Sequence, residues 1–147
     1  MKKILWMDND QAFLTAHKWC LVNAHYSLVH TKSLKQAEKL VSDENWDLVL
    51  VDIMMNVKAD DEHDYPPSRA ENGHSAGIVF IERIKQQVEE MNGIIAVLTM
   101  RADNEAFNRC SALGITKDRY RYKMEVSDPD DFLEWIESCM LLTGDQK

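Results

Sequence analysis

A regular alternation of short apolar runs and longer amphipathic segments limits this chain to a small set of folds. Each apolar run has the length and composition of a β-strand. The segment after it repeats its apolar residues every three or four positions, as a helix does. The predicted strands span residues 3–7, 26–30, 47–51, 93–99 and 119–123, and the predicted helices span residues 11–23, 33–43, 76–91, 103–114 and 127–142. Because each strand is followed by a helix, the pattern predicts an α/β fold in which helices cover both faces of a parallel sheet.

The length and composition of the chain are those of one globular domain. Its 147 residues include 45% hydrophobic and 29% charged residues, which suits a domain that buries a substantial core. We therefore expect a single domain over residues 1–147. The net charge of −8 argues against a nucleic-acid partner, because nucleic-acid-binding domains usually carry a basic face.

The sequence shows no sign of secretion or membrane insertion. No apolar run approaches the ~18 residues that a membrane span needs, and the first run ends at Asp8, too early for a secretion signal. Cys20, Cys110 and Cys139 are widely spaced and odd in number, which is typical of reduced thiols in a cytoplasmic protein. We expect a cytoplasmic location.

The apolar patterns also predict which large or reactive side chains pack inside. Cys20 and Cys139 fall on apolar helical patterns, and we expect both to be buried. Trp6, Trp19, Trp46 and Trp135 are predicted to be packing residues, with Trp46 near the surface because it precedes the third strand.

One charged residue interrupts the most apolar stretch of the chain. The segment "LVLVDIMM", residues 48–55, is otherwise apolar, and Asp52 lies inside it. A carboxylate in a buried strand is unfavourable unless a positive group compensates it. The sequence therefore predicts that another part of the chain brings a partner to Asp52.

Polar residues stand where four of the five predicted strands end. They are Asp8, Asn9, Asp10, Asp52, Thr99 and Lys123. In open α/β sheets, ligands bind at the carboxyl ends of the strands, near the point where the strand order reverses. We therefore expect these residues to converge in one crevice, where Lys123 and a cation compensate Asp52.

The residues expected in this crevice suit phosphoryl chemistry. Clustered carboxylates bind hard cations such as Mg²⁺, and a carboxylate such as Asp52 can act as a nucleophile and form an aspartyl-phosphate. A hydroxyl and an ammonium group, here from Thr99 and Lys123, can bind the phosphoryl oxygens. Phosphoryl transfer depends mainly on positioning and charge stabilisation, and this set supplies both.

Four segments resemble the motifs of response-regulator receiver domains of two-component signalling. They are "ILWMDND", "DLVLVDIMM", "IIAVLT" and "YRYKM", in the order of the family, and the resemblance covers about residues 3–142. It implies a flavodoxin-like (βα)5 fold, a doubly wound parallel sheet with strand order 2-1-3-4-5. The second strand, which has no polar residue at the expected site, would then lie at an edge.

The resemblance implies a role for each matched residue. Asp52 matches the phosphoacceptor and Thr99 the hydroxyl that senses the phosphoryl group. Lys123 matches the family's lysine, and Tyr120 matches the aromatic residue whose reorientation reports phosphorylation.

The resemblance also implies a metal site. Asp8 and Asn9 match the family's pair of metal-binding acids, and the main-chain carbonyl of Met54 matches its backbone ligand. Asp52 would be a further ligand of the Mg²⁺ cofactor, and Asp10 is an additional candidate.

The implied partners are those of a phosphorelay. A histidine kinase or phosphotransfer protein would donate the phosphoryl group, and a downstream protein target would respond to the conformational change. A homodimer through the face formed by the fourth predicted helix and the fifth strand would also fit the family. The chain ends soon after the last predicted helix, so we expect a stand-alone receiver with no enzymatic activity beyond self-phosphorylation and slow self-dephosphorylation.

The chain departs from the family pattern at several positions. Asn9 is neutral where the family has an acid, so Mg²⁺ affinity should fall, and Met124 replaces a proline after Lys123. Residues 56–75 are a polar insertion, since the strand–helix pattern resumes directly after them. The acids and histidines of the insertion match no metal-binding spacing. We expect a solvated, mobile loop, with the hypothesis that it covers the site or contacts a partner kinase.

Two other functions stay open at this stage. Asn9 and the insertion are compatible with a pseudo-receiver, an interaction module with the same fold that is not phosphorylated. The Asp8-x-Asp10 pair after a strand is compatible with a phosphatase of the haloacid dehalogenase type, with Asp8 as nucleophile. Which aspartate becomes phosphorylated discriminates between the enzyme and the receiver.

Overall fold

The sheet has the strand order that the resemblance predicts. In the computed structural model, which describes residues 1–145 without the side chains of residues 11–13 and 142–145, five parallel strands lie in the order β2-β1-β3-β4-β5. They are β1 (Lys3–Met7), β2 (Ser27–Thr31), β3 (Leu48–Val51), β4 (Ile94–Thr99) and β5 (Tyr120–Tyr122). The flavodoxin-like prediction is confirmed. The helical pattern of the sequence places Phe13 on the apolar face of the first helix, but its side chain lies outside the described part of the chain.

Within residues 1–145, six α-helices and four 3₁₀ turns accompany the strands. The helices are α1 (Gln11–Asn23), α2 (Leu34–Asp43), α3 (Pro67–Ala70), α4 (Ala76–Glu90), α5 (Asn104–Ala112) and α6 (Pro129–Asp145). The 3₁₀ turns span Ala59–Asp61, Glu71–Gly73, Lys117–Arg119 and Lys123–Val126. Polar residues fix two of the helix starts: the side chains of Ser33 and Asp103 accept hydrogen bonds from main-chain N–H groups in the first turns of α2 and α5.

Two hydrophobic layers enclose the sheet. Alternate residues of a strand face opposite sides, so the strands feed both layers in turn. Leu5, Met7, Val49 and Val51 pack with α2, α4 and α5, and Ile4, Trp6, Leu48 and Leu50 pack with α1 and α6. All four residues of β3 are buried, which explains why its sequence is continuously apolar.

The insertion is folded against the rest of the protein, which contradicts the prediction of a solvated, mobile loop. Residues 56–75 contain α3 and two of the 3₁₀ turns. Tyr65 and Ala70, with 1% and 0% of their surface exposed, belong to the same hydrophobic cluster as α4. The Tyr65 hydroxyl donates to Glu38 of α2, 2.6 Å away. The insertion therefore has an apolar underside that its polar composition conceals.

Several packing predictions also need correction. Trp19 is 63% exposed on α1 rather than buried, and Cys20 is only half-buried, whereas Cys139 is buried as predicted. Trp46 lies in the core with 2% exposure, where it packs in the cluster formed with α2 and α4, and its indole N–H donates to the Leu40 carbonyl. Within residues 1–145, no helix is long and apolar enough to cross a membrane.

Candidate functional site

The carboxyl ends of four strands meet at one edge of the sheet. Asp8 directly follows β1, Asp52 directly follows β3, and Thr99 is the last residue of β4. Lys123 was predicted as the end of the fifth strand, but it begins the 3₁₀ turn that follows β5. The parallel order of the strands brings all four to the same edge.

Lys123 is the partner of Asp52. Its ammonium nitrogen lies 3.1 Å from Asp52 Oδ2, 3.0 Å from Asp8 Oδ2 and 3.5 Å from Asp10 Oδ2. Asp8, Asp52 and Lys123 are buried, with 0%, 3% and 2% of their surface exposed. One ammonium group therefore faces three carboxylates, so these four side chains hold more negative than positive groups.

The shortage of positive charge changes the proton affinity of the site. Burial and the neighbouring Asp8 carboxylate raise the pKa of Asp52 to about 7, against the opposing effect of Lys123. Burial acts to lower the pKa of Lys123, but Asp52 and Asp8 outweigh it and raise that pKa above its ordinary value. At neutral pH Asp52 is therefore close to its pKa, and further positive charge would favour the ionised form.

A cavity of about 390 Å³ opens in front of Asp52. Asn9, Asp10, Asp52, Met54 and Lys123 line one part of it, while Asp8 does not line it. The remaining wall comes from Met100 and from residues 55, 56 and 72–74. Asp52 is therefore the buried carboxylate that a small molecule or phosphoryl group in this cavity can reach.

Helix α4 begins directly against the backbone that carries Asp52. The Gly77 N–H donates to the Ile53 carbonyl at 2.7 Å. A Cβ atom on Gly77 would lie 2.2 Å from the Asp52 carbonyl oxygen. This distance is too short for any residue with a side chain. Gly77 therefore allows the close approach of helix and strand that fixes the main chain at the phosphoacceptor candidate.

The donor atoms at this edge suit a hard divalent cation. Asp8 Oδ2 is buried and accepts no hydrogen bond from the described residues; its contact with Lys123 is an ion pair only. Asn9 and Met54 line the cavity beside Asp10 and Asp52. All these groups offer oxygen atoms, which Mg²⁺ prefers. Within the described residues no group of three or more acidic, histidine or cysteine side chains is already arranged around a metal position; here the Lys123 ammonium lies against all three carboxylates.

The side chains of Thr99 and Tyr120 are both hydrogen-bonded to the main chain of Arg101. Thr99 Oγ1 accepts a hydrogen bond from the Arg101 N–H at 3.1 Å, and the Tyr120 hydroxyl donates to the Arg101 carbonyl at 3.3 Å. Tyr120 is buried and meets Phe107 edge to face. The two residues predicted to form a switch are therefore joined through one intervening residue.

Two further residues contact this region, although no sequence motif marks them. His30 of β2 places Nε2 2.6 Å from the Asp8 carbonyl oxygen. Burial lowers the pKa of His30, so a neutral ring donates this hydrogen bond and braces the main chain at Asp8. Arg101 is 6% exposed, and its only sequence signal is its position between Thr99 and the capping residue Asp103.

The comparisons with known proteins concern the fold. No protein-family model matches the chain, and neither does any curated protein. Among solved structures, a response regulator receiver domain protein from Methanospirillum hungatei aligns with a TM-score of 0.77 and 20% identity over 100% of this chain and 99% of that chain. The signal receiver domain of an HD domain-containing protein from Pseudomonas fluorescens aligns with 0.73 and 20% over 98% of each chain. A response regulator from Thermotoga maritima aligns with 0.70 and 18% over 96% of this chain and 98% of that chain.

The chain has the fold of response-regulator receiver domains. At 18–20% identity to these three structures, the likeness concerns the path of the backbone. In the receiver fold of this chain, the strand ends bring Asp8, Asp52, Thr99 and Lys123 to one edge. What these residues do follows from their own surroundings.

Proposed function

We propose that this protein is a signalling receiver that accepts a phosphoryl group on Asp52. The observation that carries the proposal is the position of Asp52, which touches the Lys123 ammonium and faces the cavity of about 390 Å³. Asp8 is equally buried but does not line the cavity. This difference disfavours the phosphatase alternative, in which Asp8 would have to be the accessible nucleophile.

In the proposed reaction, a lone pair of the Asp52 carboxylate acts as the nucleophile. An Asp52 oxygen forms a bond to phosphorus, and the bond between phosphorus and the donor breaks, with its electrons leaving on the donor. The donor is a phosphohistidine of a histidine kinase or phosphotransfer protein, or a small acyl phosphate. Lys123 then balances the negative charge of the phosphoryl oxygens.

The metal-binding groups would be Asp8, Asp52 and the Met54 carbonyl, with Asn9 and Asp10 beside them. Mg²⁺ bound there supplies positive charge that offsets the acids and the phosphoryl oxygens. Added positive charge would also lower the pKa of Asp52 and so favour the ionised nucleophile at neutral pH. Asn9 offers an amide oxygen in place of a carboxylate. This chain would therefore bind the cation less tightly than the same chain with an acidic residue at position 9.

The proposed response begins at Thr99. Its hydroxyl, which now accepts the Arg101 N–H, turns toward the phosphoryl oxygens, and the main chain of residues 100–102 follows. Tyr120 is hydrogen-bonded to the Arg101 carbonyl, so its ring and the neighbouring face of α5 and β5 repack. Phosphorylation shifts the population between two arrangements, and a protein target or a second copy of the chain reads the α5–β5 face. We place this chemistry in the cytoplasm, in line with the reduced cysteines.

A pseudo-receiver is the second candidate, and one observation favours it. Lys123 already contacts all three carboxylates, and Asn9 leaves the site with one acid fewer than the family pattern. In that case the ammonium would take the place of the cation, and the fold would serve only for binding.

Intact-protein mass spectrometry separates the two functions. The protein is incubated with acetyl phosphate, with Mg²⁺ or with a chelator, beside the variants Asp52→Asn and Asp60→Asn. A receiver gives one phosphoryl adduct that requires Mg²⁺, disappears in Asp52→Asn and persists in Asp60→Asn. Asp60 is a suitable control because its carboxylate is exposed and pairs with Lys35. The absence of any adduct at high Mg²⁺ would instead contradict the receiver function and favour the pseudo-receiver.

A further inference from the structure

The insertion ends in a strained turn against the phosphoacceptor site. Glu71, Asn72 and Gly73 have φ angles of 50°, 56° and 100°, so three successive residues are left-handed. This conformation is unfavourable for residues with side chains and persists only where surrounding contacts hold it. We call residues 71–75 the insertion turn.

Main-chain contacts hold the insertion turn close to Asp52. The Met55 N–H donates to the Gly73 carbonyl at 3.0 Å, and the Ser75 N–H donates to the Ala70 carbonyl at 2.8 Å. A Cβ atom on Gly73 would lie 2.5 Å from the Met55 carbonyl oxygen. The turn is therefore pressed onto the segment that follows Asp52, and residues 72–74 line the same cavity as Asp52.

The side chain of Arg101 holds the insertion turn from the other side. Its Nη1 donates to Ser75 Oγ at 2.6 Å and to the His74 carbonyl at 3.2 Å, while Nε and Nη2 donate to Asp103. Ser75 occupies the N-cap position of α4, but its hydroxyl makes no capping bond. That hydroxyl donates to Glu71 at 2.8 Å, so it serves the turn instead of the helix.

The main chain of Arg101 is also hydrogen-bonded to both proposed switch residues, Thr99 and Tyr120. Its N–H donates to Thr99 and its carbonyl accepts from Tyr120. Arg109 of α5 adds a second link, since it donates to Glu71 at 3.2 Å. If the Thr99 hydroxyl turns to a phosphoryl group, the Arg101 N–H loses its acceptor. Arg101 is then free to move, and its side chain is the one that holds the insertion turn.

We propose that the insertion turn is a third responding element of the phosphorylation switch, driven by Arg101. Phosphorylation of Asp52 displaces Arg101, breaks its contacts with Ser75 and His74, and releases the strained turn at the mouth of the cavity. This inference rests on the proposed function of Asp52. Because coupling between two sites is reciprocal, variants that loosen the turn also change the fraction of protein phosphorylated at equilibrium with a donor. Arg101 acts here as a positioning residue.

Hydrogen exchange measured by mass spectrometry tests this coupling on the full chain. Exchange of the Met55 and Ser75 amides is followed with and without acetyl phosphate and Mg²⁺, and the adduct is quantified in the same samples. In the wild-type protein we expect both amides to exchange at least about threefold faster when Asp52 is phosphorylated, since local opening controls exchange. In Ser75→Ala and Arg101→Lys we expect this increase to fall to less than half, because a lysine cannot bridge Ser75 and Asp103 as the guanidinium does.

A matched control separates the coupling from a general effect on the insertion. Arg69→Gln removes an ion pair between the insertion and Glu82 of α4 that does not touch Arg101, and it should keep the full wild-type response. An adduct on Asp52 without any change in exchange, or a wild-type response in a folded Ser75→Ala variant, would overturn the inference and leave the receiver function standing. If no adduct forms on Asp52, the receiver function and this inference fail together. Ser75→Ala decides the matter if Arg101→Lys does not fold.

Discussion

The substitution Asp52→Asn should stabilise the metal-free protein, although it removes the partner of a buried lysine. The pKa of Asp52 is raised from an ordinary value of 3.8 to about 7, chiefly by burial and by Asp8. A carboxyl whose pKa is raised on folding binds its proton more tightly in the folded state. Its ionisation therefore costs stability as the pH rises above 3.8, and the full cost is present above about pH 7.

The expected size of the effect follows from that pKa. The interval from 3.8 to about 7 corresponds to about 4 kcal/mol, at about 1.4 kcal/mol for each tenfold change in proton affinity. Asparagine has the shape of the neutral acid and can still accept the Met54 N–H, which lies 3.1 Å from Asp52 Oδ1. We expect the free energy of unfolding to rise by about 2–4 kcal/mol at pH 8 and by less than about 2 kcal/mol at pH 5.

Urea unfolding with a chelator present measures both values. Asp60→Asn serves as the control, since an exposed ion pair such as Asp60–Lys35 contributes at most about 1 kcal/mol. Equal or lower stability of Asp52→Asn at pH 8, or a gain that does not grow between pH 5 and pH 8, would refute the electrostatic description of the site.

Three further substitutions test separate parts of the account. Lys123→Gln leaves three carboxylates without their shared counter-ion and should lower the free energy of unfolding by about 3–5 kcal/mol in urea. Gly73→Ala meets a φ of 100° and a blocked Cβ position; it should destabilise the protein by about 1–3 kcal/mol, and a neutral result would mean that the turn is not held as described. Asn9→Asp restores a carboxylate and should tighten Mg²⁺ binding about tenfold, roughly 1.4 kcal/mol, in calorimetric titration.

The fold was predictable because its signals are local and repeated. Strands β1, β3 and β4 are short apolar runs, and at least one helix follows each strand along the chain. The convergence of Asp8, Asp52, Thr99 and Lys123 was also predictable, since parallel strands place their carboxyl ends at one edge. Lys123 could be matched to Asp52 by that rule, although the two are far apart in sequence.

The missed features depend on contacts that leave no periodic pattern. Tyr65 and Ala70 anchor the insertion, but polar and proline residues surround them, so neither period 2 nor period 3.6 appears. Arg101 has the sequence surroundings of an ordinary loop residue. Its partners Ser75 and His74 belong to the distant insertion, so no local pattern connects them to it. Trp19 shows the opposite error: it follows a helical pattern, but none of the described elements covers that part of α1.

Direct mapping of the adduct tests whether Asp52 is the residue that accepts the phosphoryl group. The protein is incubated with acetyl phosphate and Mg²⁺, and borohydride then reduces the acyl phosphate to an alcohol, which converts the modified aspartate to homoserine. Tandem mass spectrometry of the digested protein locates that residue. Phosphorylation of Asp52 predicts homoserine at position 52 and unmodified aspartate at positions 8 and 10. Homoserine at position 8, or none in the chain, would contradict it.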